Sequence, residues 1–371
     1  MPAPTRLSGP PTRLREDLRD RVRDALGRFL DGRRRDAAAI DLAFAAATDV
    51  LASFVLDGGK RIRPTFAWWG WRGAGGRPDG PQAGAVLEAV SALELVQACA
   101  LIHDDLMDGS ATRRGRPTVH VRFAGRHAAE GWRGSPSAFG AATAILLGDL
   151  ALAWADDMLR GAGLDVAAAA RATGPWEAMR TEVLGGQFLD VLLQATGEAS
   201  PAAALRVDRY KTAAYTVERP LHLGAAIAGA PEALVAGYRR FGADVGVAFQ
   251  LRDDLLGVFG DPAVTGKPAG DDLREGKRTL LLALALERAT DGAGAAAREA
   301  VAAAIGDPDL DTDGVDRVRS ALTDLGAPQA VEERITTLTR SALDALAAAP
   351  VAEPAATELA ELAVAATRRA S

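Results

Sequence analysis

Two acidic groups have a spacing that permits metal chemistry: Asp104-Asp105-Leu106-Met107-Asp108, and Asp253-Asp254-Leu255-Leu256-Gly257 about 150 residues further along. Each follows an apolar, helix-forming stretch, Ala-Leu-Ile-His and Val-Ala-Phe-Gln-Leu-Arg respectively. On a helix, positions three and four apart share a face, so Asp104 and Asp105 both converge with Asp108. Carboxylates gathered at the end of an apolar stripe repel one another unless cations compensate them. Magnesium suits such a site, because it takes oxygen ligands, keeps several waters and completes its shell with substrate phosphates. A single Asp-Asp-x-x-Asp group is usually a solvated helix face. Two of them, each closing an apolar run, point to a substrate that carries a diphosphate.

Cations accompany both groups. Gly58-Gly59-Lys60-Arg61-Ile62-Arg63-Pro64 sets three of them at a predicted helix start, where backbone N–H groups and the helix dipole favour an anion. Arg113-Arg114-Gly115-Arg116-Pro117 follows the first acidic group closely, within reach of a metal-bound phosphate for bidentate hydrogen bonds. Lys211-Thr212, and Lys267 with Lys277 on either side of Asp271-Asp272, add more. Together they describe a pocket for two diphosphates, one held mainly through metals and one mainly through cations.

The elements that must position these residues read as helices. From about Thr12 to Arg369 the chain is rich in alanine and leucine with apolar spacings of three to four, and it lacks convincing period-two stretches. Val86, Val90, Leu93, Gln97, Ala100, Asp104 and Asp108 form one stripe, apolar at its base and acidic at its top. Breaks are expected at residues 57–59, 70–81, 125–136, at Gly174-Pro175 and at 260–270. Residues 1–15 lack an apolar core for a signal peptide and read as an unstructured N-terminal arm. Residues 16–371 read as a single all-α domain around a deep central cavity.

With 371 residues, 48% hydrophobic, 25% charged and a net charge of −6, the composition is that of a soluble globular chain and favours no nucleic-acid partner. No transmembrane segment is expected, since Glu88 and Glu94 interrupt the best apolar run, residues 85–102. Cys99 is the only cysteine, which excludes an intramolecular disulfide and fits a cytoplasmic location. His103, His120 and His222 read as packing or hydrogen-bonding residues, and Trp68 and Trp69 as core.

The order of these motifs resembles the trans-isoprenyl diphosphate synthases of the polyprenyl synthetase family, over roughly residues 50 to 285. The resemblance is carried by Gly-Gly-Lys-Arg-Ile-Arg-Pro, Glu-Leu-Val-Gln, His-Asp-Asp-Leu-Met-Asp and Arg-Arg-Gly-Arg-Pro-Thr-Val-His. Gly-Gly-Gln-Phe-Leu-Asp, Tyr-Lys-Thr-Ala, Phe-Gln-Leu-Arg-Asp-Asp and Gly-Lys-Pro-Ala-Gly-Asp-Asp-Leu-Arg-Glu-Gly-Lys-Arg-Thr follow. It implies an isoprenoid-synthase-type helical bundle, a homodimer, and head-to-tail condensation of isopentenyl diphosphate with dimethylallyl, geranyl or farnesyl diphosphate.

By the same resemblance Asp104, Asp105, Asp108, Asp253 and Asp254 bind magnesium, three ions per active site. Lys60, Arg63, Gln97 and Arg114 hold isopentenyl diphosphate, while Arg113, Lys211 and Lys267 grip the allylic diphosphate. Gln187, Asp190 and Gln250 line the site, Thr212 faces the developing cation, and Lys277 rides on a closing segment. Cys99 and Ala100, five and four positions before the first acidic group, match chain-length positions. Their small size makes the pattern most similar to bacterial geranylgeranyl diphosphate synthases and implies a twenty-carbon product, with longer or shorter chains as alternatives. Gly257 departs from the family pattern, which carries a third aspartate there in many members. A class I terpene cyclase would lack the isopentenyl cations, and a non-catalytic regulatory subunit would have lost an acidic group or its cations.

Overall fold

A computed structural model describes residues 11–57, 59–260, 270–288 and 293–368 of the chain. In order the helices are α1 (Pro11–Ile40), α2 (Leu42–Leu56), α3 (Ile62–Gly73), α4 (Ala83–Ser91), α5 (Leu93–Met107), α6 (Val119–Ala129), α7 (Pro136–Arg160), α8 (Val166–Thr196) and α9 (Pro201–Val207). A π-helix (Asp208–Glu218) leads into α10 (Arg219–Ala228) and α11 (Glu232–Phe259). Then come α12 (Asp271–Arg274), α13 (Leu280–Arg288), α14 (Ala293–Ala304), α15 (Thr312–Asp324), α16 (Ala327–Ala348) and α17 (Ala355–Thr367). The fold is all-α, as the spacing predicts.

The departures are local. Helix α1 starts at Pro11, inside the stretch expected to be an arm, while residues 1–10 lie outside the described part. Gly174-Pro175 does not end a helix: α8 runs straight past it with Pro175 buried in its interior. The predicted stripe from Val86 to Asp108 is divided between α4 and α5. A two-residue antiparallel ladder, β1 (Thr112–Arg113) with β2 (Arg116–Pro117), turns the chain after α5 and is too short to leave a period-two signal. Two stretches, Ala83–Met107 and Pro136–Arg160, are long and apolar enough to cross a membrane; 72% and 39% of their most apolar parts, respectively, are buried within the molecule.

One hydrophobic core joins α1 to α8 with α10 and the first half of α11, and includes Trp68, Trp69 and Trp71. A second gathers the end of α11 with α13, α15 and the first half of α16. Between them lies the π-helix, flanked by α8 and α11. Its wider turns fit only because the neighbouring positions are glycine. A methyl group on Gly186 of α8 would overlap the backbone of Lys211, and one on Gly246 of α11 would overlap Ala213. Backbone cannot yield as a flexible side-chain end does, so Gly186→Ala is expected to cost roughly 2–3 kcal/mol by overpacking. Calorimetric melting checks this; a melting temperature equal to that of the wild type would show that the π-helix is not wedged.

Candidate active site

The π-helix does more for the site than any other element of its length. Asp208, Lys211, Thr212, Tyr215 and Thr216 all line a cavity of about 900 Å³ at the centre of the bundle. π-Helical segments are rare and are frequent at functional sites. Across the cavity, α5 contributes Gln97, Ala100 and Asp104, α8 contributes Gln187 and Asp190, and α11 contributes Gln250, Asp253 and Asp254. The loop before α3 supplies Lys60 and the first turn of α3 supplies Arg63, the β1–β2 hairpin supplies Arg113 and Arg114, and the segment after α12 supplies Lys277.

The acidic groups and their cations interlock. Lys211 Nζ donates to Asp104 Oδ1 at 2.9 Å and to Asp190 Oδ2 at 2.6 Å, joining residues remote in sequence. Arg113 Nε donates to Asp105 Oδ1 at 2.6 Å, and its Nη2 reaches Asp104 at 3.4 Å. Lys277 lies 3.3 Å from Asp108 and 2.7 Å from Glu275. Ser110 donates to Glu275 at 2.7 Å, which ties the segment after α12 to the end of α5.

Burial tends to raise the Asp104 carboxyl, but Lys211, Lys277 and Arg113 outweigh it and hold it down at about 2. Asp108 is pushed up to about 6 by burial that Lys277 only partly offsets, with the Asp104 charge adding to the rise. Asp254 is pushed up to about 8 by burial and by the charges of Asp272 and Asp253, despite a 2.7 Å hydrogen bond from Gln250.

These residues suit hard divalent cations. The donors are carboxylate oxygens, and Asp254 Oδ2 is buried without a hydrogen-bond partner. The charge of Asp253 also weighs on Asp254. As the side chains stand, no three acidic, histidine or cysteine groups among the described residues gather closely enough to enclose an ion. Lysine ammonium groups occupy the ground between the carboxylates instead.

Gly257 has a structural counterpart. A side chain there would collide with the Asp272 carboxylate, so an acid from α12 fills the space that Gly257 leaves open.

Arg63 donates to Thr216 Oγ1 at 2.9 Å and lies 4.0 Å over the ring of Tyr215. Thr212 donates to Gln250 Oε1 at 2.7 Å. His103 meets the carbonyl of Ile145 at 3.2 Å, His120 sits 3.2 Å from the Thr118 hydroxyl, and His222 Nδ1 lies 3.1 Å from Arg219. None of the three lines the cavity.

Of the expected site residues, Asp105 and Asp108 stand behind the cavity wall rather than in it. Lys267 and Gly58 lie outside the described residues. Cys99 parts company with Ala100: its sulfur lies 3.8 Å from His103, on a face of α5 that does not line the cavity. Sequence reasoning passes over Asp208, Tyr215, Thr216 and Asp272. The first three share with Lys211-Thr212 the spacing of one ordinary helix face and could have been found from it, and Asp272 is in plain view beside Lys277.

Known proteins resemble this chain in sequence and in fold. A geranylfarnesyl diphosphate synthase of Aeropyrum pernix is 34% identical over 308 residues, covering 82% of this chain and 88% of that protein. A geranylgeranyl diphosphate synthase of Mycobacterium tuberculosis is 41% identical over 214 residues, 58% of this chain and 56% of that protein. The crystal structure of a geranylgeranyl pyrophosphate synthase from Corynebacterium glutamicum, complexed with isoprenyl diphosphate and magnesium, superposes with a TM-score of 0.91. Identity to it is 47%, over 95% of this chain and 99% of that one. A profile of the polyprenyl synthetase family matches residues 45–318, the span that holds both acidic groups and the basic loops. The chain belongs to the polyprenyl synthetase family.

Proposed function

We propose that this protein is a trans-prenyltransferase that condenses isopentenyl diphosphate head-to-tail with allylic diphosphates and releases mainly geranylgeranyl diphosphate. The observation that carries this reading is one cavity lined by Asp104, Asp253 and Asp254 with Lys211 and Lys277, by the further cations Lys60, Arg63 and Arg114, and by the small apolar Ala100 and Ala204. Asp104, Asp105, Asp108, Asp253 and Asp254 would hold magnesium, three ions per site. When bound, magnesium stabilises the charge of the departing diphosphate as a Lewis acid.

Arg113, Lys211 and Lys267 then hold the allylic diphosphate, with Gln187, Asp190 and Gln250 fixing their surroundings. Lys60, Arg63, Gln97 and Arg114 hold the second diphosphate and aim the isopentenyl double bond at the allylic carbon. Breaking the allylic C–O bond leaves a carbocation, which the double bond captures as a new C–C bond. The proton lost from the adjacent carbon passes to the released diphosphate. Thr212 turns oxygen toward the developing cation, and Lys277 helps close the site against water, which would quench it. Ala100 leaves room for the growing chain.

A longer product is the second reading, favoured by the small Ala100 and by the geranylfarnesyl relative. The test is incubation with magnesium, labelled isopentenyl diphosphate and each of the five-, ten- and fifteen-carbon allylic diphosphates, followed by separation of products by length. A dominant twenty-carbon product is expected. A folded protein that condenses no starter would instead be a regulatory subunit.

Homodimerisation is part of the proposal, and a cytoplasmic location fits the lone, buried Cys99. Large apolar side chains are left exposed on α7 and α8, among them Leu146 at 68% and Phe188 at 64%. Apolar surface of this kind marks an interface. Sedimentation is expected to give twice the 38.5 kDa chain mass, and a monomer at micromolar concentration would remove the dimer from the proposal.

A further inference from the structure

Beneath the basic loop lies an acid that the reaction itself does not use. Glu94, in the first turn of α5, is 4% exposed and accepts a 2.6 Å hydrogen bond from Arg61 Nη1. Arg61 is buried as well, and its Nη2 donates to the carbonyl of Leu56 at the end of α2. The second carboxylate oxygen of Glu94 is buried with no hydrogen-bond partner.

The backbone around this pair is strained. Arg61 caps α3 in the left-handed region with φ of +50°, and Arg114 has φ of +54°. They are the only non-glycine residues among those described with positive φ, and both belong to basic loops of the cavity. Glu94 Oε2, which accepts from Arg61, also lies close to Arg114: a side chain on Gly59 would be 3.5 Å from Arg114 Nη2 and 3.9 Å from Glu94 Oε2. Such conformations persist only where the surroundings over-determine them, and they cluster at ligand clamps. The charges also need an anion. Burial and the neighbouring Arg113, Arg61 and Arg63 all disfavour the charged form of Arg114, and Glu94 is the acid that opposes them.

We propose that Glu94 is a positioning residue for the isopentenyl diphosphate subsite, resting on the assignment of that subsite above. Its carboxylate clamps Arg61, and through it holds the strained turn that presents Lys60 and Arg63, with Arg114, to one diphosphate. Glu94 does not touch the substrate, because a carboxylate facing a diphosphate would repel it. It acts through Arg61.

Glu94→Gln keeps the size and one acceptor but removes the charge. Its KM for isopentenyl diphosphate is expected to rise about tenfold or more, since small misplacements of substrate-holding groups are costly. The KM for the allylic diphosphate stays within about twofold, a split that a general loss of stability would not produce. Arg61→Gln gives the same split, and the double variant is no worse than the poorer single one, because the two residues work as a unit.

Removing one partner of a buried pair can unfold a protein, whereas replacing both with apolar residues of similar volume is tolerated. Arg61→Met/Glu94→Met therefore provides a folded variant that must show the same rise. An unchanged KM for isopentenyl diphosphate in the Glu94 variants, alongside a raised one in Lys60→Ala and Arg114→Ala, overturns the role of Glu94 and leaves the subsite standing. If Lys60→Ala and Arg114→Ala leave that KM unchanged as well, the subsite assignment itself fails. A parallel loss in both KM values and in melting temperature assigns Glu94 to the fold alone.

Discussion

Asp104→Asn is expected to lower the rate of condensation by about a thousandfold while leaving the protein folded, the scale seen when one electrostatic group is removed from a preorganised site. Asp104 is the carboxylate on which two cations of the proposed allylic subsite converge, Lys211 at 2.9 Å and Arg113 at 3.4 Å. With its carboxyl held down at about 2, it is charged at any working pH. An amide has nearly the same shape but no charge for a metal ion or a lysine.

The fold survives because each cation keeps a second acid. Lys211 retains Asp190 at 2.6 Å, and Arg113 retains Asp105 at 2.6 Å. The check is single-turnover condensation of labelled isopentenyl diphosphate, with circular dichroism to confirm helix content and melting. A variant that keeps a tenth or more of the wild-type rate would move the metal-binding role away from Asp104.

Much of this site is legible in the amino-acid sequence. Asp104, Asp253, Lys211 and the basic loops carry charge that no packed core would tolerate without a purpose, and their types and order suffice to bring them together. What stays hidden depends on local geometry. Asp208, Tyr215 and Thr216 share the ordinary helix face of Lys211-Thr212, so the segment reads as a plain helix and its π-helical winding leaves no mark in the sequence. Glu94 reads as a polar interruption of an apolar run, because its partner Arg61 lies 33 residues away. Gly257 looks like a loss, and only the placement of α12 shows that the Asp272 carboxylate stands in the vacated space. Pro175 reads as a helix end, yet α8 continues past it with Ala172, Pro175, Trp176 and Met179 buried on its inner face. In each case tertiary packing overrides a local signal that is correct in itself.

Cys99 and Ala100 make the sharpest test of what the sequence leaves open, since both match chain-length positions and only one lines the cavity. Ala100 lies one turn below Asp104 on α5 and forms part of the cavity wall. A phenyl ring there projects into the space below the allylic diphosphate. Ala100→Phe is therefore expected to shorten the main product from twenty carbons to fifteen, with the rate of the first condensation retained.

Cys99 is 4% exposed and turned toward His103, whose ring packs against Gly148 of α7. Enlarging it forces α5 and α7 apart instead of filling the cavity. Cys99→Phe is expected to cost about 1–3 kcal/mol of stability through overpacking. Its product length should match the wild type wherever the protein stays folded. Product chromatography and thermal melting on the two variants separate these outcomes. Shortening by Cys99→Phe with no loss of stability would mean that the face of α5 toward α7 opens to the growing chain. An unchanged product from Ala100→Phe would place the floor deeper, at the level of Val183 on α8, the turn below Gln187 and the lowest point at which that helix lines the cavity.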